Sequence, residues 1–152
     1  MCLKLDVNGI NVELEIRGYR PDNKRFNDDA WCKCDFSLYN ENINYSRSSA
    51  EVLFSAEVDL LESYLTRLLN GEIKEIEEFL CAEPDFEFYF HPEKQTLRPD
   101  YVFAIFVEWK INFWHERSPS GNSLTLTLWQ DEIIALKDYL SSVIKRKNKS
   151  AK

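Results

Sequence analysis

The chain has 152 residues, of which 44% are hydrophobic and 14% aromatic, a composition that fits one domain with a sizeable core. Its 26 acidic and 19 basic residues give a formal net charge of −7, which repels phosphate backbones and disfavours nucleic-acid binding. No stretch approaches the ~20 apolar residues of a membrane span, and the first residues alternate like a strand rather than resembling a signal peptide, so we expect a cytoplasmic protein.

A β-hairpin is predicted at the start of the chain. Apolar side chains alternate with polar ones over 3–7 and 10–16, and Asn8-Gly9 between them is the preferred pair of a type I′ turn. Three segments follow: a polar loop at 18–29, a strand at 31–39 and, after a turn at 40–42, a fourth stretch through Tyr45 that can continue over 50–54.

Two amphipathic helices are predicted, one in the middle of the chain and one near its end. Leucines repeat at helical spacing after Ser55, which suits an N-cap, and Asn70-Gly71 suits a C-cap. The second helix is predicted over 131–145, and its basic end suits the helix dipole. We therefore predict a single globular domain over 1–147 and a frayed basic tail over 148–152.

Strands are predicted between the two helices. The acidic stretch 72–83 is ambiguous, whereas the alternation over 86–90 is typical of a strand. Alternation also runs through 101–116, which at ~3.3 Å per residue would span roughly 50 Å, so we expect a bend or bulge. A hairpin loop at 118–122 leads to a strand at 124–128.

The junction between strand and helix occurs twice. Residues 53–65 match residues 128–140 in their apolar spacing, and both copies contain Glu, Leu and Tyr at equivalent places. Either any strand-to-helix junction needs this spacing, or the chain holds two similar halves, each of several strands followed by one helix. The predicted fold class is α+β: a curved, mostly antiparallel sheet with two amphipathic helices packed on it, with two similar strands-then-helix halves as the further alternative.

The cysteines do not have the spacing of a metal site. Cys32 and Cys34 lie two apart on a predicted strand, so they share one face, which we expect to be buried. Cys2 and Cys81 stand alone, and the chain has only two histidines. We expect no metal and no cofactor.

Motifs of catalysis and phosphate binding are missing from the sequence, which contains only 4 glycines. The best acid–base candidates are Glu108, His91 and His115. A Glu and a Lys two apart on a strand, as at Glu108 and Lys110, more often form a solvated face. We therefore predict no catalytic residues and a protein that is not an enzyme.

An acidic run with one aromatic residue is the strongest candidate for a binding surface. Five basic residues lie beyond residue 144, which leaves 14 basic against 26 acidic residues, or a net charge of −12, in the body of the chain. Charge of this kind speeds association with basic partners, and Tyr often anchors interfaces, although a solvated face is the alternative interpretation. The predicted partner-binding residues are Glu72, Glu75, Glu77, Glu78, Glu83, Asp85, Glu87 and Tyr89.

The order of these elements resembles the WapI-type immunity proteins of bacterial polymorphic toxin systems. The most specific matching piece is Glu83-Pro84-Asp85-Phe86. The other matching pieces are 31–38, 53–69, 79–88, 105–113 and 124–140. The resemblance covers most of the chain from about residue 30 onward, excludes the N-terminal hairpin and the basic tail, and carries over no binding residue.

This resemblance implies a protein that binds and neutralises a cognate toxin domain, often a nuclease, in the producing cell. Nucleases that grip phosphates are commonly basic, so such a partner would suit an acidic body. Two alternatives stay open: an acidic secretion chaperone or adaptor that dimerises around an extended client, and an enzyme or small-ligand binder built on the curved sheet.

Overall fold

The computed structural model describes residues 1–115 and 118–150, and it describes the side chains of these residues outside 114–121 and 147–150. In chain order the elements are β1 (Leu3–Val7), β2 (Ile10–Arg17), a short 3-10 helix (Asp28–Ala30), β3 (Lys33–Tyr39), β4 (Asn44–Ala50), α1 (Ser55–Leu69), β5 (Glu77–Leu80), β6 (Phe86–His91), β7 (Lys94–Gln95), β8 (Val102–Phe103), β9 (Phe106–His115), β10 (Ser118–Leu128) and α2 (Gln130–Ser150).

The strands form two four-stranded antiparallel sheets rather than one curved sheet. The first sheet has the order β1-β2-β3-β4, and the second has the order β10-β9-β6-β5. The strands of the first sheet precede α1 and those of the second precede α2. The predicted α+β class is confirmed. The order of the elements agrees with the alternative of two halves, each of several strands followed by one helix. β7 and β8 form a separate two-stranded ribbon.

The first hairpin is confirmed in detail. Asn8 and Gly9 both have positive φ, 52° and 84°, as a type I′ turn requires. The Gly9 N–H donates to Asp6 Oδ1 at 2.8 Å, which closes the turn. The turn sets Val7 opposite Ile10, and this register places the apolar side chains of both strands on the inner face.

The long strand predicted over 101–116 is interrupted, in agreement with the bend or bulge expected from its length. Ala104 and Ile105 separate β8 from β9, so Tyr101 and Phe103 leave the buried stripe and are each 53% exposed. The hairpin loop predicted at 118–122 is wrong, because β10 already begins at Ser118. Its pairing with β9 shifts register between Ser118 and Asn122. The Pro and Gly of this segment therefore lie within an irregular part of the strand.

One cluster of buried residues joins both sheets and both helices. The Phe36 ring of β3 meets the rings of Phe86 and Trp109 in the second sheet, at centroid distances of 5.0 and 5.5 Å. The helices pack against each other, and Tyr64 of α1 stacks on Phe90 at 4.9 Å. The predicted burial of Cys32 and Cys34 is confirmed, since neither is exposed.

The predicted helix ends are partly right. Gly71 has a φ of 72° directly after the C-cap Asn70, as predicted. Ser55 is the first helical residue and Phe54 the N-cap, so the predicted cap is wrong. The Ser55 hydroxyl instead accepts the Arg20 N–H at 3.0 Å and donates to the Ala30 carbonyl at 3.3 Å.

The second helix is longer than predicted and reaches Ser150, so it includes residues 148–150 of the predicted tail. Residues 151–152 lie outside the described residues. No helix in the described part of the chain has the length and apolar character needed to cross a membrane.

Glu57 ties the start of α1 to the loop between β5 and β6. Its carboxylate is buried and accepts the Phe54 N–H at 2.9 Å and the Ala82 N–H at 2.8 Å. Burial raises the pKa of Glu57, and these two hydrogen bonds oppose the rise. One side chain therefore completes the helix cap and joins the two halves.

Replacing Glu57 with alanine is expected to destabilise the protein by about 2 kcal/mol, because two backbone N–H groups lose their acceptor in a buried place. Glu132→Ala is the matched control, since Glu132 holds the same third position of α2 and is half-buried. Urea unfolding of both variants measures the difference, and equal losses would contradict the proposed tie.

Candidate binding surface

The second sheet presents one face to the core and one face outward. Phe79, Phe88 and Trp109 lie side by side on the inner face. In the next row the pairing sets Glu78 opposite Tyr89 and Tyr89 opposite Glu108, which places all three on the outer face. We call this outward surface the acidic face; its members are Glu78, Glu87, Tyr89, His91, Phe106, Glu108 and Lys110.

Tyr89 lies at the centre of the acidic face. Its hydroxyl donates to Glu87 Oε1 at 3.1 Å. Burial first, and then the negative charges of Glu87, Glu78 and Glu108, raise the pKa of the phenol. Tyr89 therefore stays a neutral donor surrounded by three carboxylates, an arrangement that combines an aromatic anchor with negative charge.

Glu87 is held in place by its neighbours. The Asn112 amide donates to its Oε2 at 2.9 Å, and Lys110 Nζ lies 3.5 Å from the same oxygen. The hydrogen bond from Asn112 lowers the pKa of Glu87, with Tyr89 and Lys110 adding to the effect. Glu78 forms no ion pair with any described residue, so its charge is available to a partner.

His91 and Glu108, two of the predicted acid–base candidates, are brought together on this face. His91 Nε2 lies 2.5 Å from Glu108 Oε1. The imidazole also stacks on Phe106 at 4.0 Å, and Phe106 meets Trp129 at 5.5 Å. In the described part of the chain, no hydroxyl, thiol or amine is hydrogen-bonded to this pair. The third candidate, the side chain of His115, lies outside the described residues.

The remaining residues of the predicted surface are spread over other environments. Glu72 and Glu75 are exposed in the connection from α1 to β5, a few residues before Glu78 of the acidic face. Glu77 pairs with Arg67 of α1 at 3.2 Å, and Glu83 is half-buried in the connection from β5 to β6.

Asp85 departs from the prediction, because it is only 5% exposed. It forms an ion pair with Arg47 of β4 and so joins the first sheet to the connection between β5 and β6. Burial raises the pKa of Asp85, and the charge of Arg47 opposes the rise. Asp85 is therefore mostly buried in an ion pair between β4 and the β5–β6 connection, unlike the exposed carboxylates of the acidic run.

Sequence reasoning missed the aromatic and apolar members of this side of the molecule. Phe106 stacks on His91 and in turn contacts Trp129, while Ile76, just before β5, and Leu80, at its end, are more than half exposed. Alternation along the strand could have identified Phe106, because it lies at an even-numbered position while the apolar stripe of β9 occupies the odd-numbered ones. Among the described residues, no three His, Cys, Asp or Glu side chains are placed to hold a metal ion.

Comparison with models of known protein families gives a match over nearly the whole chain. The model of the immunity protein WapI-like family matches residues 3–147, nearly the whole chain. This match includes the N-terminal hairpin, which the resemblance drawn from the sequence left out. No curated protein and no solved structure matches the chain.

Proposed function

The chain belongs to the WapI-like immunity protein family, and we propose that it binds and neutralises a cognate toxin domain in the cytoplasm of the producing cell, using the acidic face. The observation that carries the choice of surface is the grouping of Glu78, Glu87 and Glu108 around Tyr89. A toxin that presents Lys or Arg side chains would find acceptors on three adjacent strands there.

The geometry favours a binding surface over a solvated face. Solvated carboxylates need no aromatic centre, whereas here the charges surround a half-buried Tyr and adjoin the rings of Phe106 and Trp129. Interfaces draw most of their affinity from buried aromatic residues and gain specificity and association rate from surrounding charge. A rigid sheet also holds these groups in place before binding, which lowers the entropic cost of association.

In the proposed function, the His91–Glu108 pair is part of the binding surface and has no catalytic role. The pair fixes the Glu108 carboxylate beside Tyr89 and holds the imidazole flat on Phe106. In this role both residues contribute a preformed contact surface, and inhibition follows from occupying the toxin.

The proposed function is tested in cells. The C-terminal domain of any large toxin-like protein encoded just upstream is expressed with and without this protein, and growth is measured. Rescue of growth together with a 1:1 complex in gel filtration is the expected result. A toxin domain that still kills cells containing this protein, with no complex formed, would overturn the proposal.

The complex is expected to weaken as salt is raised, because the proposed contacts pair charges near the protein surface. The Debye length falls from about 10 Å at 0.1 M salt to about 3 Å at 1 M, so charge steering is nearly lost across that range. Association rates measured at several salt concentrations test this expectation. A rate independent of salt would show that charge does not guide the encounter.

A further inference from the structure

The β7–β8 ribbon and the connection before β5 enclose an apolar groove beside the acidic face. The groove has a volume of about 510 Å³, within the range of pockets that hold ligands or side chains. Its apolar lining consists of Ile76, Pro92, Phe103 and Phe106. Its rim carries Lys74, Glu75, Glu93 and Lys94, so the charges at the rim balance.

The walls of this groove leave large apolar surfaces in water. Ile76 is 60% exposed, and Phe103, which meets Tyr101 edge-on at 5.3 Å, is also more than half exposed. The ribbon itself contributes only two residues to each strand, too few to bury such side chains on its own. Contiguous exposed apolar side chains rimmed by polar residues are typical of protein interfaces.

The groove is continuous with the acidic face. His91 and Phe106 belong to both, since they line the groove and also form the outward row of β6 and β9. His91 contacts Glu108, which lies beside Tyr89 and opposite Thr127 of β10. A side chain in the groove would therefore enter next to the carboxylates of the acidic face.

We propose that the groove receives an aromatic or long aliphatic side chain of the toxin, carried on a segment whose neighbouring Lys or Arg residues lie over Glu108 and Glu78. This inference rests on the proposed function and specifies the chemistry of the partner. Charge complementarity favours this occupant, because the balanced rim accepts an uncharged side chain and the adjoining face accepts positive charge. The apolar side chain supplies the buried anchor that a purely electrostatic contact lacks.

The test uses the double variant Ile76→Ser/Phe103→Ser and the toxin domain identified in the growth test, made by cell-free synthesis. Both residues are exposed, so the variant is expected to fold normally and to bind about 30-fold more weakly, as for the loss of interface anchors. Leu60→Ser/Ile134→Ser is the matched control, because it removes two exposed apolar side chains from the helices. The control is expected to bind like the wild-type protein.

Hydrogen exchange of the complex gives a second measurement. Slower exchange is expected at 74–76, 91–94 and 101–106 when the toxin domain is bound. If the wild-type protein rescues growth but the groove variant binds equally well and these segments show no protection, the groove inference fails while the proposed function stands. If the wild-type protein forms no complex, both fail together.

Discussion

Replacing Arg47 with methionine is expected to destabilise the protein by about 3 kcal/mol at neutral pH, the low end of the range for breaking a buried ion pair. The low end applies because the Arg47 side chain is 34% exposed, whereas that of its partner Asp85 is only 7% exposed. Without the guanidinium, Asp85 would be a buried carboxylate with no countercharge. For a chain of this length, the loss corresponds to a fall in melting temperature on the order of 10 °C.

The expected loss depends on pH, and its sign follows from Asp85. Burial already raises the folded-state pKa of this carboxyl, and removing Arg47 raises it further. Between the unfolded and folded pKa values the folded protein binds more protons, so its stability falls as pH rises. The difference between Arg47→Met and wild type should therefore be larger at pH 7 than at pH 4, as measured by urea unfolding at both values.

A double variant provides the control for this pair. Asp85→Asn removes the buried charge and leaves Arg47 with a third of its side chain in water, so it should cost about 1 kcal/mol. Arg47→Met/Asp85→Asn should then be more stable than Arg47→Met alone. If the double variant were less stable by the sum of both single losses, the two residues would be independent, and the ion pair would not stabilise the packing of β4 on the β5–β6 connection.

Asp85 also shows what the sequence could not reveal about the site. It belongs to an acidic run in which all carboxylates look equivalent, and it lies in the most specific piece of the resemblance, Glu83-Pro84-Asp85-Phe86. Its ion-pair partner is Arg47, which is 38 residues away in the chain and lies in β4 of the first sheet. A charge pattern along the chain holds no information on a pairing of that kind.

Features set by neighbouring residues could be predicted, whereas features set by strand pairing could not. The type I′ turn at Asn8-Gly9 and the C-cap at Gly71 follow from local backbone preferences. The outward parity of Glu87 and Tyr89 follows from alternation in one strand. The meeting of Tyr89 with Glu108 requires the register of β6 against β9, and the groove requires the break that turns Phe103 away from the core.

The double charge reversal Glu78→Lys/Glu108→Lys is expected to weaken binding of the toxin domain by about 100-fold, if each lost attraction is worth about 1.4 kcal/mol. Both side chains lie next to Tyr89 on the acidic face. Reversal replaces two attractions with two repulsions, so the association rate should fall most, and its dependence on salt should become weaker. Cells that express this variant together with the toxin should lose protection.

The control has to separate the position of these charges from their number. Asp22→Lys/Glu41→Lys changes the net charge by the same amount at two exposed carboxylates in the connections between strands of the first sheet. It should retain tight binding and rescue growth, while unfolding of both variants shows whether the fold survives. If both variants weaken binding equally, net charge alone would govern the encounter. If the variant at Glu78 and Glu108 binds as tightly as the wild-type protein, the toxin meets a different surface, and the grouping of carboxylates around Tyr89 would be a solvated face.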